Sequence, residues 1–253
     1  MTRHHMAALL ALAALPLGCT APEPREPPPP DRLTLQEEVN LGRVVAPAVV
    51  EALGGELDDL AVQAYVRTIG QRVARATHLT HLPYRFTVLD AAEPRGVALP
   101  GGVVGVTRGL LRRLESEAQL AAALARQVAH LAAGHVRRGL TDRFPLADLR
   151  HAAAAHDAPG GGEAAAVRPI AGALLEPPYP DADRREADRL GLDYLAAAGY
   201  NPNQMAACLE RIGADAERID AIRTLAARKY ADRRGRIADD VYSREVLERL
   251  DEP

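Results

Sequence analysis

The chain has no tryptophan, and two phenylalanines and seven tyrosines bring aromatic residues to only 4% of its 253 residues. Its formal net charge is −3, so it lacks both the stacking rings and the basic face that nucleic-acid binding requires. Cysteine is nearly as scarce. Cys19 and Cys208 alone cannot build the disulfide framework of a small secreted domain. Cys208 lies in the helix-like segment QMAACLERIG, where a small buried thiol is expected. Long apolar runs are missing too: the stretch 7–17 is too short to span a bilayer. No local Ser/His/Asp or Cys/His signature is present. Gly160, Gly161 and Gly162 are followed by neither a lysine nor a helix start, which removes a P-loop and leaves a flexible link.

What is there begins with an export signal. Arg3, His4 and His5 precede the apolar stretch, which ends at Gly18 and Cys19, the pattern of a lipoprotein-type signal peptide over 1–19. Pro16 stands three places before the cysteine, where leucine is usual, and Thr20 follows it in place of an inner-membrane retention aspartate. Residues 20–33 form a proline-rich tether, since APEPREPPPP extends as polyproline and cannot enter a core. Residues 34–253 are long enough for one domain, and 47% of the chain is hydrophobic. The expected location is the bacterial envelope, on the periplasmic face of the outer membrane, with a membrane anchor through lipid on Cys19.

Periodicity places helices over 35–53 and 58–77, then a strand at 84–89. A hairpin follows over 97–107, with Pro100, Gly101 and Gly102 as its turn. A helix over about 117–138, a loop-rich segment to Pro180 and a helix from Glu186 to about Gly199 come next. The charged stretch 216–250 reads as solvated helices. The fold class is therefore α+β, mainly helical.

The most informative segment is SEAQLAAALARQVAHLAAGH, 116–135. A zinc-peptidase helix carries H-E-x-x-H, because residues four apart share a helix face and two imidazoles there can hold one zinc with the glutamate as base. Here the five places read Arg126, Gln127, Val128, Ala129 and His130. Arginine has no lone pair to donate, and an amide cannot cycle a proton as a carboxylate does. His130 and His135, five apart, point about 140° away from each other on one continuous helix and are not expected to meet. The remaining histidines (His78, His81, His151 and His156 beyond the leader) stand in loop-like stretches with no acidic partner at ligand spacing.

Three blocks in order, RGVALPGGVVGVTRGLLRRL at 95–114, the segment just described, and EADRLGLDYLAAAGYNP at 186–202, resemble the zinc metallopeptidase family of the HtpX, BepA and CAAX-prenyl protease type. That family's wording is NAFALPGG, a helix with AHExxH and a further histidine, then ExEADxxG and AGYDP. The resemblance covers roughly 35–212 and implies a zincin-like fold with a small sheet beside the active-site helix. It puts Arg126 and His130 at the two histidine ligand positions, Gln127 at the base and Arg184 at the third ligand, normally glutamate. His135 matches the further histidine. Glu186 and Asp188 match the retained acidic pair, whose aspartate orients the first histidine in the family, though acids in a first turn also stabilise any helix start. No S-T-H-P motif follows in the C-terminal region.

No catalytic residue and no metal ligand set is therefore expected, and no cofactor. Zinc enters only if the alternative holds, an active zinc metalloendopeptidase of envelope quality control with ligands drawn from elsewhere. Arg126 is expected to pair with Asp188, and Arg184 with Glu186 or another nearby carboxylate, in place of the zinc cross-link between two helices. The resemblance implies that the strand near the LPGG turn (Val97, Ala98, Leu99, Val103, Val104) lies along the cleft. An extended or unfolded envelope polypeptide could pair with such a strand without any metal. The favoured reading is thus a pseudopeptidase lipoprotein that binds peptide; a structural lipoprotein is the further alternative.

Overall fold

The computed structural model describes residues 31–157, 164–176 and 179–251. The leader, Cys19, most of the tether and the glycine run at 160–162 lie outside the described residues.

Helix α1 (Leu35–Ala52) starts with a capping box: the Thr34 hydroxyl accepts from the Glu37 backbone N–H at 3.1 Å, and the Glu37 carboxylate accepts from the Thr34 N–H at 2.7 Å. Helix α2 (Leu60–Ala74) is capped by Asp59. Three short strands follow, β1 (Arg85–Leu89), β2 (Gly96–Leu99) and β3 (Val103–Thr107), in the order β1-β3-β2. β2 and β3 form the hairpin around Pro100–Gly102, while β1 runs parallel to β3, with Phe86 opposite Val104. Gly101 takes a φ of 70°, and its Cβ would sit 2.5 Å from Val39 Cα, so α1 packs directly on the turn only because that residue is glycine.

β3 is the central strand. Val103 and Val104 therefore lie between two neighbours, and the expectation that they belong to a peptide-pairing edge does not survive; of the hairpin strands, only β2 has an outer edge.

After a turn of helix, α3 (Arg108–Leu111), the central helix α4 runs over Glu117–Ala132. Nearly all of it is buried, as a small-residue, alanine-rich helix at the middle of a core must be. Its free N-terminal N–H groups find partners far along the chain: Glu117 and Ala118 donate to the carbonyls of Ala238 and Ile237 at 3.2 and 3.1 Å, and Ser116 caps Gln119. α4 ends where Gly134 turns left-handed, with φ at 72°, and α5 (His135–Thr141) starts in a new direction. The single helix expected over 117–138 is thus broken before His135.

The segment expected to be loop-rich holds two helices, α6 (Leu146–Ala154) and α7 (Ala164–Leu175). Leu149, Ala152, Val167 and Ile170 form a second core with Leu41 and Val45 of α1. Each of the two helices buries only three of its described side chains (Leu149, Ala152 and Ala153; Val167, Ile170 and Ala171), too short a stripe for periodicity to show. Helix α8 (Asp181–Ala197) lies along α4, and Gly191 permits the approach: a Cβ there would stand 3.2 Å from the Arg126 backbone nitrogen.

α9 (Gln204–Arg211), α10 (Ala216–Lys229), α11 (Asp239–Tyr242), a π-helical stretch Ser243–Leu247 and α12 (Glu248–Asp251) complete the described chain. This region is not merely solvated, as its charge suggested. Ile222, Ala226, Tyr242 and Val246 enter the main core, and the Tyr242 hydroxyl donates to the Leu111 carbonyl at 2.7 Å. No described helix is long and apolar enough to cross a membrane.

Candidate functional site

Arg126, Gln127 and His130 face a cleft of about 550 Å³ between β2 and the segment Tyr179 to Arg184. Each of them is buried. Arg126 Nε donates to Asp188 Oδ1 at 2.6 Å, the pair expected across α4 and α8. The other carboxylate oxygen of Asp188 accepts from Arg218 Nε of α10 at 2.9 Å, with Arg218 Nη2 at 2.8 Å but off the line of a hydrogen bond. Asp188 is 1% exposed, so one buried carboxylate joins three helices through two guanidiniums. Arg218 was not foreseen, because nothing local marks a single arginine of a charged helix as buried.

Gln127 reaches across to β2: a Cβ at Gly96 would lie 2.7 Å from Gln127 Nε2, so any larger residue there would displace the amide. Arg184 pairs with Asp181 at 3.2 Å rather than with Glu186, and its buried Nε has no hydrogen-bond partner among the described residues.

The two histidines do meet, contrary to the helical-angle expectation. The break at Gly134 returns His135 toward α4, and His130 Nδ1 and His135 Nδ1 lie 3.0 Å apart. His130 is held well below the usual imidazole range, first by burial and then by Arg126, His135 and Arg218 around it, so it is neutral. Tyr179 stacks on its ring, centroids 3.7 Å apart and planes 18° from parallel. Burial pushes the Tyr179 phenol up, with Asp183 adding to the effect. An isolated tyrosine between Pro178 and Pro180 gave no sequence signal for this role.

On its other side His135 faces acids. Its Nε2 is 3.2 Å from Glu186 Oε2 and 3.8 Å from Asp183 Oδ1, and Arg138 Nη2 bonds Asp183 Oδ1 at 2.6 Å. His135, Asp183 and Glu186 bring one donor atom each to within 4.8 Å of one another, the chemical composition of a metal site.

A helix pair carrying this motif frame beside a small sheet and cleft defines the metallopeptidase class of fold. The chain belongs to peptidase family M48, whose sequence profile matches residues 60–234. It is similar to the beta-barrel assembly-enhancing protease of Escherichia coli (strain K12), 26% identical over 165 residues, covering 62% of this chain and 34% of that protein. It is also similar to the mitochondrial metalloendopeptidase OMA1 of Arabidopsis thaliana, 28% identical over 157 residues, covering 62% of this chain and 31% of that one. The chain thus spans about a third of the length of these relatives.

The family is zinc-dependent, and the residues at its zinc positions do not fit that ion. Arg126 and Arg184 are cations tied to aspartates, Gln127 is an amide, and His130 alone offers a nitrogen. No catalytic step can be derived through a metal at these positions.

Proposed function

We propose that this domain is a non-catalytic member of the family that holds an extended envelope polypeptide along β2, with a lipid on Cys19 keeping it at the outer membrane. One observation carries the reading: the cleft is retained along Gly96, Val97 and Ala98, while an Arg126–Asp188–Arg218 clamp occupies the place of the metal machinery. Main-chain pairing at the outer edge of β2 supplies affinity without zinc, and the cleft supplies room for alternate side chains. The relatives named for beta-barrel assembly suggest strands of outer-membrane proteins as clients.

A photo-crosslinking residue at Glu93, which lines the cleft and is well exposed, tests this in cells. Expected are adducts with envelope polypeptides from Glu93 and none from Leu60, an exposed residue outside the cleft lining. An absence of adducts at both positions would leave the structural-lipoprotein reading. In the same cells, Cys19→Ser should release the chain from the membrane fraction.

A further inference from the structure

We propose that His135, Asp183 and Glu186 bind one divalent cation of the zinc type, tying α5 to the first turns of α8 at a site distinct from the family's four positions. The donor set is one imidazole nitrogen and two carboxylate oxygens drawn from two helices. A tetrahedral zinc with bonds near 2.1 Å needs ligand atoms about 3.4 Å apart. The two distances from His135 Nε2, 3.2 Å to Glu186 and 3.8 Å to Asp183, bracket that value.

A second observation is independent of the acids. The His135 ring is fully buried, and its Nδ1 lies 3.0 Å from His130 Nδ1, so one of those nitrogens must donate and the other accept. With His130 accepting, His135 Nδ1–H is fixed and Nε2 presents its lone pair to the two carboxylates. That arrangement is unfavourable around empty space and favourable around a cation. It also gives His135 the oriented outer hydrogen bond that metal-ligating histidines almost always make. Tyr179, stacked on His130, holds that partner in place. The reverse proton arrangement, with His135 Nε2–H donating to Glu186, needs no ion and is the one the experiment must exclude.

Arg138 competes for the site, since it holds Asp183 Oδ1. It is half-exposed and can move aside into solvent.

The test is titration of zinc chloride into the chelator-stripped full chain, read by calorimetry and thermal melting. Expected is one equivalent bound with a rise in Tm. Glu186→Gln and Asp183→Asn should each weaken binding at least about tenfold, and Arg138→Ala should tighten it. Glu186 is half-exposed, so its substitution leaves folding intact even where His135→Ala does not. His130→Ala should keep the stoichiometry and lose about tenfold in affinity, as an orienting partner does. No zinc uptake, or uptake abolished by His130→Ala yet unchanged by Glu186→Gln and Asp183→Asn, would overturn the site. Neither result bears on peptide capture, which is measured without added metal.

Discussion

Asp188→Asn should lower the free energy of unfolding by about 3–5 kcal/mol, the largest effect expected of any single substitution near the cleft. Both oxygens of Asp188 are engaged, by Arg126 at 2.6 Å and by Arg218 at 2.9 Å, and all three side chains are at most 10% exposed. Removing the carboxylate leaves two guanidiniums in the core with an amide that can satisfy neither charge. The ion pairs themselves add little net stability, because burying the three charges costs about as much as their attraction returns. The damage comes from breaking the set. Arg126→Met should therefore cost less than Asp188→Asn, since Asp188 keeps Arg218. In the Asp188→Asn background, Arg126→Met should recover part of the loss by removing an unpaired charge. Urea unfolding of the two single variants and the double measures this coupling. A loss under about 1 kcal/mol for Asp188→Asn, unaltered by Arg126→Met, would show that the clamp does not join the helices.

Glu117→Gln is expected to have the second largest effect, about 3 kcal/mol, through loss of a buried, charge-assisted network. Glu117 is 3% exposed and accepts from Tyr200 at 2.7 Å, Tyr65 at 2.9 Å, Arg72 at 3.2 Å and, through both oxygens, Arg236 at 2.8 and 2.9 Å. It fastens the start of α4 to α2, to Tyr200 in the turn beyond α8 and to the strand-like segment before α11. Ala238, in that segment, holds a left-handed φ of 54°, a conformation unfavourable for alanine that the network and the α4 N-terminus jointly maintain.

The same network sets a pH dependence. Burial pushes the Glu117 carboxyl up, and the hydrogen bonds from Arg236, Tyr200 and Tyr65 outweigh it, so the folded value lies below the ordinary 4.5. With the folded pKa depressed, the unfolded chain binds the proton more readily. Glu117 thus contributes fully above 4.5 and loses its contribution as pH falls through the folded value. Unfolding free energies measured from pH 7 to pH 3 should fall more steeply below 4.5 for the wild type than for Glu117→Gln. Parallel curves would mean that the carboxylate is not the stabilising form.

Much of this architecture is local and could be read from the residues. The hairpin around Pro100–Gly102, the capped helices α1 and α2 and the motif frame of α4 follow from turn chemistry and periodicity within a few residues. The loss of ligand chemistry at Arg126, Gln127 and Arg184, and Asp188 as the partner of Arg126, were legible instead through the resemblance of the spaced motifs to the family's wording. What was not legible depends on where the chain returns. The 140° separation of His130 and His135 holds for a continuous helix, and one left-handed glycine at 134 cancels it. Arg218 and Arg236 reach buried carboxylates 30 and 119 residues away, contacts that no pattern within the C-terminal charge run encodes. Helices α6 and α7 each bury a narrow face in which alanine alternates with larger aliphatics, too short to stand out from its surroundings.

The most direct test of a cleft without catalytic chemistry is hydrolysis of casein by the purified chain supplied with zinc, with and without a metal chelator. Expected is no hydrolysis above that of buffer, with or without chelator, even when zinc is bound at His135, Asp183 and Glu186. Chelator-sensitive hydrolysis that disappears in His130→Ala would contradict it, and would mean that His130 still holds a working metal despite Arg126 and Arg184 beside it.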